Sequence, residues 1–215
     1  MPLTVLAALL AVEGTSIGQF MVSRPLVAAG IAGMVLGNPE QGLIVGALRE
    51  LFFLPAVPIG GGRYPEPGPA AVVAAYAASV AGGAGAVAFG VFFGLSFGLI
   101  GGWSQQKVRA VVTRLLPTSD DPGLGPRLAK AHLASVALDA LRGGALAAFG
   151  MVLVRSLVPV FAATWPLDGN TTLVLLLLCA CLPLGSLLST IGGVRRRGAW
   201  TLAGVALGGV LGSLI

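Results

Sequence analysis

What most constrains this chain is a series of long apolar runs separated by short polar connections. The runs cover residues 3–20, 25–36, 42–59, 68–103, 133–162, 172–192 and 198–215. A bilayer core about 30 Å thick takes roughly 20 helical residues to cross. Backbone groups inside it must be satisfied within the chain, which leaves helices or closed barrels. Continuous apolar runs, without the alternation of barrel strands, select helices. Composition agrees: charged residues are 10% of the chain against about 25% in soluble proteins, and the mean hydropathy is +0.93. The sequence therefore predicts an all-α polytopic membrane protein, with residues 1–215 as one membrane domain. It has about six to eight transmembrane or re-entrant segments.

Within this pattern the run 25–36 is too short to cross unaided. The run 68–103 is long enough for two helices, with Ala81-Gly82-Gly83-Ala84-Gly85 as the break. Residues 104–131, which carry Lys107, Arg109, Arg114, Arg127 and Lys130, are expected to form a cytoplasmic basic loop, because short basic connections stay on the cytoplasmic side. Arg195, Arg196 and Arg197 give a second anchor on that side. The same topology accounts for the net charge of +5, and nucleic acid is not expected as a partner. No basic segment precedes the first apolar run, so it is expected to be a retained span rather than a cleaved leader. Glycine or alanine recurs every fourth residue at Gly82, Ala86, Gly90, Gly94, Gly98 and Gly102, and again at Gly204, Gly208 and Gly212. Such stripes let helix backbones approach closely; packing inside the bundle is the first reading and a subunit interface, in a homo-oligomer, the second.

Several kinds of chemistry lack their residues. His132 is the single histidine and sits beside Lys130 with no acidic or cysteine cluster. No Ser/His/Asp set, no hydrolytic carboxylate pair and no Walker loop is present. Cys179 and Cys181 point to opposite sides of a helix and serve as small apolar residues. No catalytic residue, cofactor or metal is expected.

Ionisable groups at membrane depth cost about 2.5–3.5 kcal/mol each on insertion scales and mark function by default. Here Glu13, Arg24, Arg49, Glu50 and Glu66 crowd into the first third, with the amide of Gln19. Beyond Trp103 the charges are expected mostly in loops or near span ends. Glu50 lies in an apolar stretch, where its carboxylate can accept the hydroxyls of a sugar or pair with Arg24 or Arg49. Arg49 is the poorer partner, since adjacent helical residues diverge. Glu13 precedes Gly14-Thr15-Ser16, where local unwinding would wet it. Pro25 lacks an N–H and disfavours helix at Arg24, so a break is expected that turns Gln19, Ser23 and Arg24 toward a polar cavity. The glycines at 60–62 and the prolines at 65, 67 and 69 predict a second interruption beside Glu66. It is either an aqueous loop or a broken helix lining a cavity.

The motifs from Gln19 to Val27, Gly33 to Asn38, Gly42 to Ala47, Glu50-Leu51 and Gly60 to Glu66 have a counterpart. In that order they resemble the N-terminal half of the IIC permease component of the mannose/fructose/sorbose family of the bacterial phosphotransferase system (PTS). The resemblance implies a multi-pass subunit of the bacterial inner membrane that binds a hexose-like sugar and carries it across in an elevator-like motion. A homologous IID membrane subunit would be its partner. Cytoplasmic IIA and IIB proteins would relay phosphate from phosphoenolpyruvate to the sugar, so the chain itself would not be an enzyme. Gln19, Ser23, Glu50 and Glu66 are the expected sugar contacts, with Arg24 and Glu13 supporting the site. Arg49 stands where an apolar residue is usual, and Tyr64-Pro65-Glu66-Pro67 replaces a more usual Pro-Pro-Asp. Two other functions fit the same residues: a non-transporting sensor that retains the pocket, and a small-solute transporter with its own coupling.

Overall fold

The computed structural model describes residues 1–54, 64–117, 123–166 and 168–192, with positions 204, 206, 207 and 210. All regular structure among them is helical: α1 (Pro2–Thr15), α2 (Pro25–Val35), α3 (Pro39–Phe53), α4 (Gly68–Ala81), α5 (Ala86–Leu115), α6 (Leu124–Ala163) and α7 (Gly169–Gly192). The described residues form an all-α membrane protein. The runs 42–59 and 198–215, the turn at 60–63, the Arg195–Arg197 anchor, Gly208 and Gly212 fall wholly or partly outside them.

Proline sets the start of each early helix. Pro2, Pro25, Pro39 and Pro69 occupy the first or second helical position of α1 to α4, where the missing N–H would be unpaired anyway. The predicted break after residue 81 also forms: α4 ends at Gly82, which with Gly83 takes positive φ, 60° and 61°. A side chain at either would meet the steric penalty that glycine avoids.

The N-terminal helices are short. At about 1.5 Å per residue, the 11 residues of α2 span roughly 16 Å and the 14 of α1 or α4 roughly 21 Å, less than a bilayer core. α2 and α3 form a hairpin whose turn is tied by the Asn38 amide donating to Gly33 O at 2.8 Å. The two backbones nearly touch: a Cβ on Gly42 would lie 2.8 Å from Gly33 Cα. α4 is the centre of the bundle and packs on α1, α2, α3, α5 and α6. Residues 68–75, 77 and 78 are all buried, and as Gly, Ala, Val and one Pro they allow five neighbours to close in. Outside this core α6 presents Leu141, Phe149, Val152 and Val160 to its surroundings, as a lipid-facing helix does.

Two expectations change. Residues 104–131 are mostly helix, because α5 runs to Leu115 and α6 begins at Leu124. With 30 and 40 residues these helices measure about 45 and 60 Å, so their charged ends extend beyond the apolar core. Nor are the later charges confined to loops and span ends. Asp139 is 6% exposed within α6, and the Arg142 side chain 7%.

Candidate functional site

The link between α1 and α2 is held open by a carboxylate. Glu13 accepts the Ser23 amide at 2.8 Å and the Val22 amide at 3.3 Å, two donors that an uninterrupted helix would have used. Between them the backbone enters the left-handed region at Gly18 (φ 89°), Gln19 (53°) and Met21 (65°). For the two non-glycine residues this conformation costs roughly 1–2 kcal/mol each. Strain of this sort persists where surrounding contacts enforce it, and it accompanies functional sites.

Arg24, the residue before α2, pairs with Glu50 of α3 and lies 5.2 Å from the Phe53 ring centroid. The other Glu50 oxygen accepts the Leu26 amide at 3.3 Å. Glu50 thus places negative charge at the N-terminus of α2, where unpaired N–H groups favour it. The ion pair with Arg24 was one of the two readings open for Glu50. Arg49 turns the other way: it is buried and donates to Pro67 O at 3.2 Å and Glu66 O at 3.3 Å.

A cavity of about 430 Å³ opens beside this break. Glu13, Gly14, Thr15, Gln19, Met21, Ser23, Arg24 and Phe53 border it on one side, and Tyr64, Pro67 and Arg109 on the other. Its volume lies within the ~300–1,000 Å³ of small-molecule sites. The lining combines an amide, hydroxyls, a carboxylate, guanidiniums and two aromatic rings. Arg109 donates to the Tyr64 hydroxyl at 3.0 Å and lies 5.6 Å from its ring centroid. The Gln19 amide makes one long bond, to Thr15 O at 3.4 Å, so its carbonyl is free to accept. Glu13 also takes the Ser23 hydroxyl and the Phe20 amide, so its carboxylate is spent on shaping this wall. A neutral polyol, with donors and acceptors on every carbon, suits this lining.

Four of the six sequence-predicted residues therefore meet at the cavity: Gln19, Ser23, Arg24 and Glu13. Glu50 stands behind Arg24. The structure does not bring Glu66 to the cavity; it is 2% exposed and held bidentately by Arg142, at 2.9 and 3.1 Å. Its own amide donates to Gly98 O at 2.8 Å. Arg142 also donates to Asp139 at 2.7 Å, and Asp139 accepts the Thr15 hydroxyl. This network pins the Tyr64-to-Pro67 segment between α5 and α6. The glycine stripe of α5 admits it: a Cβ on Gly94 would meet Arg49 Cδ at 2.5 Å, and one on Gly101 would meet Glu66 Cβ at 2.5 Å. Sequence reasoning missed Tyr64, Arg109, Asp139 and Arg142. The signal for the last two was present, as a carboxylate and a guanidinium three apart on an apolar helix face each other.

Comparison with known proteins adds to this geometry. The family described as PTS system sorbose-specific IIC component matches residues 1–165. The sorbose-specific EIIC component of Lacticaseibacillus casei is 34% identical over 61 residues, 28% of this chain and 22% of that protein. Its Klebsiella pneumoniae counterpart is 29% identical over 62 residues, 29% and 23% of the two chains. The mannose-specific EIIC component of Escherichia coli K12 is 31% identical over 72 residues, 34% and 27% of the two chains. The aligned stretches thus span about a quarter of each relative.

Proposed function

The chain belongs to the family of PTS sorbose-specific IIC components, and from that premise we propose that it is a membrane sugar-transport subunit whose substrate binds in the cavity beside Gln19. The observation that carries this reading is the cavity itself. Its polar wall is built from the Gln19–Arg24 break, within the family motif, and the wall keeps unused hydrogen-bonding capacity. A hexose-like sugar would give a hydroxyl to the Gln19 carbonyl, with Glu13 shaping the wall behind it. It would accept from the Gln19 amide and donate to the Ser23 hydroxyl oxygen, whose hydrogen goes to Glu13. Phe53 and Tyr64 supply ring surface for its C–H faces. Arg24 and Glu50 fix the start of α2 rather than touch the sugar. Glu66 acts one layer further out, holding the Tyr64 wall through Arg142.

The protein would sit in the bacterial inner membrane as a multi-pass subunit beside a IID partner. Cytoplasmic IIA and IIB proteins would phosphorylate the sugar after it crosses. No phosphate carrier is expected in this chain, whose single histidine, His132, lies at the exposed start of α6. The Arg24–Glu50 ion pair joins α2 to α3, and the bonds of Glu13 to the α2 entry and of Thr15 to Asp139 join α1 to α2 and to α6, so these helices would move as one body carrying the site.

The test is uptake of labelled mannose and sorbose by cells producing the full chain with IID, IIA and IIB proteins. Gln19→Leu should raise KM about tenfold, the loss of roughly one ligand hydrogen bond. Unchanged uptake by Gln19→Leu would remove this cavity from the pathway. Concentrative uptake by the chain alone, without phosphoenolpyruvate, would replace the phosphotransferase reading with an independently coupled transporter.

A further inference from the structure

We propose that a second polyol subsite lies beyond the first, in a cavity of about 400 Å³ between the end of α1 and the long helices α5 and α6. The proposal rests on the sugar-transport reading and extends it to the route by which the sugar leaves.

The observation that points to a ligand is Gln105. It is 5% exposed and borders this cavity, yet its side chain makes no hydrogen bond among the described residues. The Gln105 amide is not sealed in protein, as Gln41 Oε1 and Arg49 Nε are; it faces the cavity, so its partners must come from whatever fills that space. Around Gln105 the lining offers further acceptors. The Thr113 hydroxyl donates to Ala110 O at 2.9 Å and the Ser135 hydroxyl to His132 O at 2.7 Å, so each oxygen keeps its lone pairs. Asp139 is held by Thr15 and Arg142, and four lone-pair positions on a carboxylate leave room for one more donor. Val108 and Val112 add apolar surface for a sugar's C–H face.

The lining favours a neutral polyol over an anion. Asp139 would repel a phosphoryl group, and the one cation, Arg109, is already engaged by the Tyr64 hydroxyl and ring. The two cavities are also neighbours: Thr15 and Arg109 border both. A sugar passing between them would exchange Gln19 for Gln105 without entering lipid. The second cavity lies toward the basic ends of α5 and α6, where a phosphorylating partner could receive it.

The experiment measures binding of radiolabelled mannose and sorbose to the full chain in inverted membrane vesicles. Wild type, Gln19→Leu and Gln105→Leu are compared. Wild type should give a two-component isotherm, with Gln105→Leu losing one component and Gln19→Leu the other. A normal isotherm for Gln105→Leu with a defective Gln19→Leu overturns the second subsite alone. The reverse pattern overturns the first-cavity reading alone and leaves the second standing. Absence of binding in wild type overturns both, and binding of hexose 6-phosphate in place of the free sugar overturns the assignment to a neutral ligand. Thr113→Cys supplies a measurement independent of folding defects in the leucine variants. Mannose should slow its thiol labelling about tenfold if it occupies the cavity, and unchanged labelling counts against the subsite.

Discussion

Replacing Arg142 by leucine removes the donor on which two buried carboxylates depend. The guanidinium reaches Glu66 through both Nη atoms, at 2.9 and 3.1 Å, and Asp139 through Nε at 2.7 Å. Glu66, 2% exposed, cannot turn to water, and Asp139, 6% exposed, meets only the cavity beside α1. Deleting one partner of a buried pair costs about 3–5 kcal/mol, because the other charge stays desolvated and unpaired. Native proteins have only about 5–15 kcal/mol in hand, so Arg142→Leu should lose much of the fold's margin. Glu66→Gln keeps the volume and one acceptor and should cost less, about 1.5–3 kcal/mol, the worth of a charge-assisted hydrogen bond. The sharpest comparison is the double variant Glu66→Leu/Arg142→Leu. Apolar replacement of a whole buried pair is often close to neutral, so the double variant should be more stable than Arg142→Leu alone. Reversible unfolding by SDS in mixed micelles, followed by circular dichroism, measures all three. An Arg142→Leu protein within about 0.5 kcal/mol of wild type, the range of ordinary surface changes, would refute the reasoning. So would a double variant less stable than the single one.

Further expectations concern other parts of the bundle. Along the α5 stripe, Gly94→Ala would press on Arg49 at 2.5 Å and should cost about 1–3 kcal/mol, whereas Gly98→Ala meets its nearest atom at 3.4 Å and should be nearly silent; equal losses in the same SDS titration would contradict the packing. At the start of α7, the Thr171 side chain and its amide, which donates at 2.7 Å, hold the exposed Asp168 carboxyl below its usual range. A lowered folded pKa means that this contact stabilises above the unfolded value and is lost as pH falls through the folded one. The Thr171 amide resonance should therefore titrate below the ordinary aspartate range, and a midpoint at or above that range would refute the contact. At the basic end of α6 nothing lies within 4 Å of a Cβ added to Gly125, so Gly125→Cys should fold normally. In intact cells this cysteine should react with an impermeant thiol reagent only after permeabilisation, and labelling from outside would invert the assigned topology.

The breaks before α2 and after α4 were legible from backbone chemistry, whereas the helix starts at Pro2 and Pro39 obey the same chemistry without having been read from the sequence. Prolines at 2, 25, 39 and 69 and glycines at 82 and 83 act through sterics and a missing donor, which need no tertiary information. The far end of α5 was not legible from hydropathy. Apolar composition marks where lipid stops, but no proline or glycine follows Trp103 until Pro117, so the helix continues into its charged turns. The pairing of Arg24 with Glu50 was within reach because both belong to adjoining short segments. The pairing of Glu66 with Arg142 joins residues 76 apart, and no local period or propensity specifies it. For the same reason Tyr64 and Arg109 gave no sign of sharing a cavity wall with Gln19.

Burial of a polar group in this membrane protein does not by itself separate structural from ligand-binding residues; whether its unused hydrogen-bonding atoms face a cavity does. Glu66 and Arg142 are deeply buried and direct their donors and acceptors at one another, at Ser104 and at Asp139, which also accepts the Thr15 hydroxyl and keeps one position toward its cavity. Arg49 directs two of its donors at the carbonyls of residues 66 and 67. Together these four fix a proline-rich segment that could not hold itself by helical bonds. Glu13 spends its carboxylate shaping the break, and Arg24 pairs with Glu50 and borders the cavity with its remaining donors. Gln19, although exposed and strained, uses one weak bond. Gln105, although buried, uses none among the described residues. These two amides lie in adjoining cavities, on either side of Thr15 and Arg109. A sugar can satisfy either amide in turn, because its hydroxyls donate and accept alike. A charged solute would leave one lining or the other with an unpaired charge, at a cost the apolar surroundings would magnify.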